Sequence, residues 1–261
     1  MKRETPLSRR EMLLRLVAGG GALSLTGCAL DARAPQAMSI LESAEALTRV
    51  AQRALLAPRQ ALAREYGRED ISAYFKPNGS TEPDDPDYLD AADRNFVDWR
   101  LEVGGLVERP LKLSLADLRA LPSRTQITRH DCVEGWSCIA QWQGAPLASV
   151  LDAAGLKPQA RFIAFFCADE LERTLDGNGR YYETIDLVDA RHPQTILAYA
   201  MNDAPLAIEH GAPLRLRVER QLGYKMAKYV MRIEAIESFA ALGRGRGGFW
   251  EDRGYEWYAG I

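Results

Sequence analysis

The chain has 261 residues, 47% of them hydrophobic and 26% charged, with a formal net charge of −3. That composition belongs to a globular protein with a substantial core, arranged as one large domain or two small ones. The slightly acidic balance argues against a nucleic-acid partner, which would call for a basic excess; no apolar run reaches the roughly 18 residues of a membrane span, and no solenoid-spaced repeat is present.

The first 28 residues read as an export segment and not as fold. Ser8-Arg9-Arg10-Glu11-Met12-Leu13-Leu14 resembles a twin-arginine export motif. The Gly- and Ala-rich stretch 13–25 that follows is too short and weak for a transmembrane helix. It ends in Leu25-Thr26-Gly27-Cys28, similar to a lipoprotein processing box, in which the chain is cut before the cysteine and Cys28 is acylated. The bland alternative is an amphipathic helix with a chance arginine pair; two motifs in the right order favour export. The resemblance implies that 1–27 is a signal, and that the mature protein is periplasmic and lipid-anchored to a membrane. The twin-arginine route carries folded proteins, often with a cofactor already inserted. Five basic and two acidic residues give the signal a charge of +3, leaving a mature body of −6.

Residues 31–69 place Ile40, Leu41, Ala44, Leu47, Ala51 and Leu55 at helical spacing, predicting a helix interrupted near Pro58. Residues 28–75 thus read as a tether and helix, and 76–261 as the main domain. Pro77, Pro83, Pro86 and Asn78-Gly79 predict a loop over 76–87. Strict alternation over 97–103, closed by Gly104-Gly105, predicts a half-buried strand. Ser114 and Asp117 form a capping-box-like start to a short helix ending before Pro122. Residues 147–154 predict a helix closed by Gly155, and 161–167 a buried strand. Residues 194–201 predict another helix, while 214–218 and 230–234 alternate as strands. Strands and short helices mix without a βαβ rhythm, so the expected class is α+β with a mixed sheet. No Gly-x-Gly-x-x-Gly follows a strand, which leaves a nicotinamide fold without support.

Four cysteines occur. With Cys28 taken by lipid, Cys132, Cys138 and Cys167 remain, and an odd number in an oxidising compartment leaves a thiol unpaired. Binding a metal as thiolate would resolve this, and so would simple burial. Cys132 sits in Arg129-His130-Asp131-Cys132-Val133-Glu134-Gly135-Trp136-Ser137, and thiolate sulfur suits a soft redox metal. A zinc site from His130, Cys132 and Cys138 is a rival whose spacing departs from the usual paired ligands.

The Cys-Val-Glu-Gly-Trp-Ser run resembles the metal-ligating segment of the sulfite oxidase-fold molybdopterin oxidoreductases. Further segments carry the resemblance across most of 98–239. Trp142-Gln143-Gly144-Ala145-Pro146-Leu147 is similar to the family's Trp-x-Gly-x-Pro-Leu helix entry. Tyr181-Tyr182-Glu183 and Asp189-Ala190-Arg191-His192-Pro193 match its middle; His210-Gly211-Ala212-Pro213-Leu214-Arg215-Leu216 and Gly223-Tyr224-Lys225-Met226-Ala227-Lys228 match its pterin-binding segments. The resemblance implies a molybdenum–molybdopterin cofactor with Cys132 as metal ligand and catalytic residue. It implies pterin contacts from His130, His210, Arg215, Tyr224, Lys225, Met226, Ala227 and Lys228. Upstream, Asn78, Thr81 and Glu82 resemble the family's early cofactor-binding turn, and Cys167 stands where the methionine sulfoxide reductase branch has a threonine beside the cofactor. Cations and a planar guanidinium suit the cofactor's phosphate. The bland reading of Arg215, Lys225 and Lys228 is a solvated strand face and surface turn, and that of His130 a core histidine.

The sequence departs from the sulfite-oxidising branch, which follows its cysteine with a Gly-Asn-Arg-Arg-like cationic segment. Here Glu134 contributes an acid. The run is nearer the reductase branch, although Asp131 stands where that branch has arginine. No Cys-x-x-Cys-His haem motif or iron–sulfur cysteine cluster occurs. Electrons would therefore pass through a separate carrier, a cytochrome or a quinone-linked membrane subunit. The aromatic run 249–258 reads as a tail over the core, with a wall of the substrate funnel as the sharper alternative. The reading is an exported oxidoreductase catalysing oxygen-atom transfer or a related two-electron redox reaction on a small substrate; the alternative is a non-catalytic lipid-anchored binding module that retains the fold.

Overall fold

The computed structural model describes residues 62–173 and 179–261, with Leu47, Thr48, Val50 and Ala51. The expected signal, Cys28 and Pro58 lie outside the described residues. The chain divides into two units, residues 1–51 and 52–261. In the first, the four described positions are helical.

In the second unit, the expected helix does not reach residue 69. Residues 62–67 carry no helix, only an isolated bridge at Glu65, and a single 3-10 turn occupies Arg68–Asp70. Glu65 bridges to Thr128, Tyr66 N–H donates to the Ile127 carbonyl at 2.9 Å, and Ser72 N–H to that of Ile139 at 3.0 Å. This part of the expected tether is thus docked on the fold, and Phe75 is buried in a core cluster. The loop that follows ends sooner than expected. Helix α1 (Pro86–Asp93) starts with proline at its first turn and Asp85 as cap, accepting from Tyr88 N–H at 2.9 Å.

Strand β1 (Leu101–Gly105) is shorter than the alternation from residue 97 suggested. Asn95 and Phe96 take positive φ, and Val97 is left 71% exposed, so this stretch is a turn feeding the strand. Next come β2 (Leu111–Leu113) and α2 (Leu115–Ala120). The capping box is present: Asp117 N–H donates to Ser114 Oγ at 3.1 Å, and Ser114 N–H to Asp117 Oδ2 at 2.8 Å. A long hairpin, β3 (Arg124–Asp131) and β4 (Ser137–Pro146), leads into α3 (Leu147–Ala154). Leu147, Val150, Leu151 and Ala154 bury one face of α3 at helical spacing, and Gly155 ends it at φ +71°.

Strands β5 (Phe162–Glu170) and β6 (Arg180–Asp186), α4 (Leu187–Ala190), β7 (Ile196–Met201), β8 (Ala204–Pro205), β9 (Arg215–Arg217) and β10 (Val230–Ile236) complete the order. The helix predicted over 194–201 is a strand. Ile196 to Met201 is an almost wholly apolar run, and such a run fits a buried strand as well as a helix. Pairing decides it: β7 bonds to β4, β8 and β9, which makes it the centre of its sheet.

Two five-stranded sheets result. One has the order β2-β1-β10-β5-β6, with β1 and β10 parallel and the other pairs antiparallel. The other runs β3-β4-β7-β8, with β9 beside β7. The expected α+β class with mixed sheet holds. The main core packs side chains of both sheets against α3, including Val103, Leu151, Phe165, Ile185, Leu197, Leu216 and Ile233. Alternation along β9 puts Arg215 and Arg217 on one face, opposite Leu216. All three are buried, so this strand is not the half-solvated one its alternation predicted.

Candidate functional site

The hairpin turn between β3 and β4 carries Cys132. Cys132 N–H donates to the Trp136 carbonyl at 2.9 Å, and Gly135 N–H to the Cys132 carbonyl at 3.0 Å. Gly135 holds φ +83°, which a side chain would strain. This closed turn leaves Cys132 half-buried, lining a cleft with Asn78, Ser80, Asp169, Tyr181, Met226 and Lys228. Burial raises the thiol above its ordinary range. A soft metal would deprotonate it.

Glu134, beside the cleft, is not a bare negative charge. Its carboxylate accepts from Trp136 Nε1 at 2.9 Å and from Lys76 Nζ at 3.1 Å, and these bonds hold it below the usual carboxylate range. The Lys76 ammonium also lies 5.2 Å over the Trp136 ring. Sequence reasoning singled out the acid and missed the cation that neutralises it. Asp131 turns the other way, clipped by Ser137 Oγ at 2.5 Å and Arg129 Nε at 2.9 Å.

Two cations point toward this region without a counter-charge. Arg215 is fully buried; it donates to the His210 carbonyl at 2.9 Å, approaches Asn78 Oδ1 at 3.5 Å, and its Nε has no partner. Lys228 Nζ donates to the Ser80 and Glu209 carbonyls. Neither makes an ion pair with a carboxylate among the described residues, although Asp169 attracts Lys228 at longer range. Burial, then repulsion by Arg217, pushes Arg215 down to about 9. Burial, then repulsion by Arg215, pushes Lys228 down to about 7. Buried cations without counter-ions are costly, and an anionic ligand would complete them.

The neighbouring cations are already satisfied. Arg217 forks onto Glu219 at 2.9 and 2.6 Å. Lys225, expected at the pterin, is fully buried between Glu183 and Glu251 at 2.5 Å each. Its ammonium belongs to a structural ion triad, not to the cleft, which its glycine-bordered turn gave no sign of.

Two residues apart, His130 and Cys132 would share a face if the strand ran through both. The strand stops at Asp131, so Cys132 leaves that face and enters the turn. His130 stays inside, fully buried, accepting at Nδ1 from Arg217 at 3.0 Å and lying 3.3 Å from Met226 Sδ. Burial and the nearby guanidinium groups hold it neutral. Accepting at Nδ1 assigns its proton to Nε2. His130 is buried and touches the cleft-lining Met226. A Cβ at position 223 would collide with its ring, so Gly223 permits the packing.

Among the other expected residues, Asn78, Tyr224, Met226 and Lys228 line the cleft with Cys132. His210 sits beside Arg215, its Nδ1 without a partner. Ala227 is buried behind the cleft, its carbonyl taken by Leu216 N–H at 2.8 Å. Thr81 and Glu82 are exposed on the loop and do not line the cleft. Cys167 lines a second cavity with Phe166, Met231 and Arg232, and Tyr181 borders both. Cys138 contacts the Tyr74 carbonyl at 3.7 Å. No group of three or more His, Cys, Asp or Glu residues comes together to hold a metal among the described residues.

Ser80, Asp169, Leu171 and Tyr181 line the cleft without having been foreseen. The aromatic tail divides between its two readings. Phe249 and Trp257 are buried against the core, while Trp250 and Tyr255, stacked at 5.3 Å, wall the cleft.

The profile of the family described as "Oxidoreductase molybdopterin binding domain" matches residues 88–240. The chain belongs to this family. It is 36% identical over 253 residues to the Azospira oryzae protein named "Putative protein-methionine-sulfoxide reductase subunit YedZ1", spanning 97% of this chain and 88% of the relative. It is 34% identical over 245 residues to a protein-methionine-sulfoxide reductase catalytic subunit, MsrP, of Xanthomonas axonopodis pv. citri, spanning 87% and 70%. Among solved structures it is similar to the sulfane dehydrogenase SoxCD of Paracoccus pantotrophus, with TM-score 0.48 and 26% identity over 54% of this chain and 39% of that one. The chain is an oxidoreductase whose cofactor is molybdenum–molybdopterin. Its residues fit that group on their own chemistry. Lys228 lines the cleft with Cys132, a soft donor, and Arg215 lies beside the cleft residue Asn78; neither cation makes an ion pair among the described residues.

Proposed function

We propose that this oxidoreductase reduces methionine sulfoxide in proteins, drawing electrons from a separate carrier. One observation carries the reading: Cys132 and the uncompensated Lys228 open into one cleft whose walls include Leu171, Met226, Trp250 and Tyr255. Apolar and aromatic walls suit a neutral sulfoxide with a thioether side chain. Lys76 is spent on Glu134, and Lys228 is assigned to the cofactor's phosphate, so neither is left over to attract an oxyanion such as sulfite. The names of the relatives from Azospira and Xanthomonas agree.

Cys132 would ligate molybdenum, and Arg215 and Lys228 would hold the cofactor's phosphate, with Asn78 and His210 beside them. When bound, the cofactor supplies two-electron oxygen-transfer chemistry. The protein's share is to position it, wall off water with Trp250 and Tyr255, and seat the substrate. The chain carries no haem or iron–sulfur motif of its own, so a cytochrome or a quinone-linked membrane subunit is the fitting electron donor. The twin-arginine and lipobox-like segments support export to the periplasm and anchoring through Cys28.

Molybdenum-loaded protein, given reduced viologen, should reduce a methionine sulfoxide peptide and oxidised protein. Sulfite oxidation with no sulfoxide turnover would contradict the reading. Cys28→Ala should abolish membrane fractionation, and unchanged fractionation would remove the anchor.

A further inference from the structure

Asp169 lies in β5 and lines the Cys132 cleft while only 4% exposed. Ser80 Oγ donates to its Oδ2 at 2.6 Å, which fixes the carboxyl's orientation. Its Oδ1 is buried and has no hydrogen-bond partner among the described residues. An unpaired buried carboxylate oxygen is costly, and protonation removes most of that cost. The groups around it are Lys228 and Tyr229 from the segment before β10, Tyr88 from α1, Tyr181 from β6, and Cys167 and Glu183 nearby. Lys228 is the one cation among them, and its N–H groups are directed at the Ser80 and Glu209 carbonyls.

Most other candidate donors in the cleft are occupied, the Tyr224 hydroxyl donating to the Glu256 carbonyl at 2.6 Å, while Tyr255 sits at the exposed wall. Glu134 is exposed and paired with Lys76. The Tyr181 hydroxyl donates to the Tyr224 carbonyl, and burial drives its ionisation well above the ordinary range. Lys228 is the partner for an anion.

We propose that Asp169 is the general acid of the cleft, delivering a proton from its free carboxyl oxygen to the oxygen that leaves sulfur. This rests on sulfoxide reduction being the reaction. The balance is R–S(=O)–R′ + 2 e⁻ + 2 H⁺ → R–S–R′ + H₂O. The sulfur–oxygen bond breaks, sulfur is reduced by two electrons from the separate carrier, and the oxygen ends as water. Asp169 gives one proton and regains it from solvent in the cleft; solvent gives the other.

Burial, the largest influence, moves the Asp169 carboxyl up to about 6, with Ser80 and Lys228 pulling it back. An anion drawn to Lys228 would offset that cation and move the carboxyl further up. A general acid works in its protonated form. Turnover should therefore be highest at low pH and fall as pH rises through the carboxyl's range.

The test compares molybdenum-loaded wild type with Asp169→Asn, using reduced viologen and a methionine sulfoxide peptide across pH 5 to 9. Asparagine keeps the shape and loses the proton. We expect kcat to fall about 10²-fold or more, with KM little changed and the falling alkaline limb gone. Molybdenum, pterin content and melting temperature should match wild type. An unchanged kcat and pH profile in Asp169→Asn would overturn the assignment, as would a loss of pterin matching the loss of activity. Failure of the wild type to reduce any sulfoxide would instead strike the functional reading, and this inference with it.

Discussion

Replacing Lys228 by methionine should stabilise the cofactor-free protein. Lys228 is held at about 7 instead of 10.5. At about 1.4 kcal/mol per pH unit, that difference is about 5 kcal/mol of unfavourable charge burial. Methionine removes the charge and keeps much of the stem, but forfeits the bonds to the Ser80 and Glu209 carbonyls, worth about 1–3 kcal/mol. The net is a gain of about 2–4 kcal/mol at pH 7. For a domain of this size the melting temperature should rise by about 4 to 16 °C. The pH dependence has a definite sign. Below its unfolded value of 10.5, the unfolded chain takes up a proton that the folded one resists. The penalty is absent above 10.5 and complete below about 7, so the advantage of Lys228→Met should shrink as pH is raised. Urea unfolding of protein made without pterin synthesis, at pH 7 and pH 10, reads this directly. A variant less stable than wild type at pH 7, or an advantage that does not shrink, would refute the idea of a site built around a missing anion.

Other substitutions separate holding from structure. Arg215→Ala should lower pterin occupancy while activity per bound molybdenum changes much less, and Arg215→Lys should restore occupancy only in part, because an ammonium lacks the planar fork; pterin and metal content measured with turnover decide this. Lys225→Met should leave Glu183 and Glu251 as buried carboxylates and cost about 3–5 kcal/mol of stability in denaturant unfolding. Cys138→Ser should leave turnover and metal content unchanged, since Cys138 does not line the cleft and instead packs against the Phe75–Trp142 cluster beside the Tyr74 carbonyl.

Much of the fold is legible in local pattern. The Ser114–Asp117 box, the apolar face of α3 and the runs of β5 and β10 each report their element without help from the rest of the chain. What was hidden is what pairing decides. The run 196–201 is a strand because three neighbours bond to it. The start of β1 is displaced because Asn95 and Phe96 take a left-handed turn. At the site, Cys132, Asn78, Met226 and Lys228 line one cleft. Lys225 does not, because its carboxylate partners lie 42 and 26 residues away in sequence. Asp169 was hidden for a related reason. Nothing in an acid closing an apolar strand tells that Ser80, 89 residues earlier, will fix one oxygen and leave the other free.

The central claim is that Cys132 gives its sulfur to the molybdenum of this oxidoreductase. Molybdenum X-ray absorption of protein matured in a host that makes molybdopterin tests it most directly, with Cys132→Ser and Cys138→Ser beside the wild type. The account predicts stoichiometric molybdenum in the wild type, loss of one sulfur neighbour in Cys132→Ser, and an unchanged spectrum in Cys138→Ser. An unaltered sulfur shell in Cys132→Ser, or a sulfur lost only in Cys138→Ser, would contradict it.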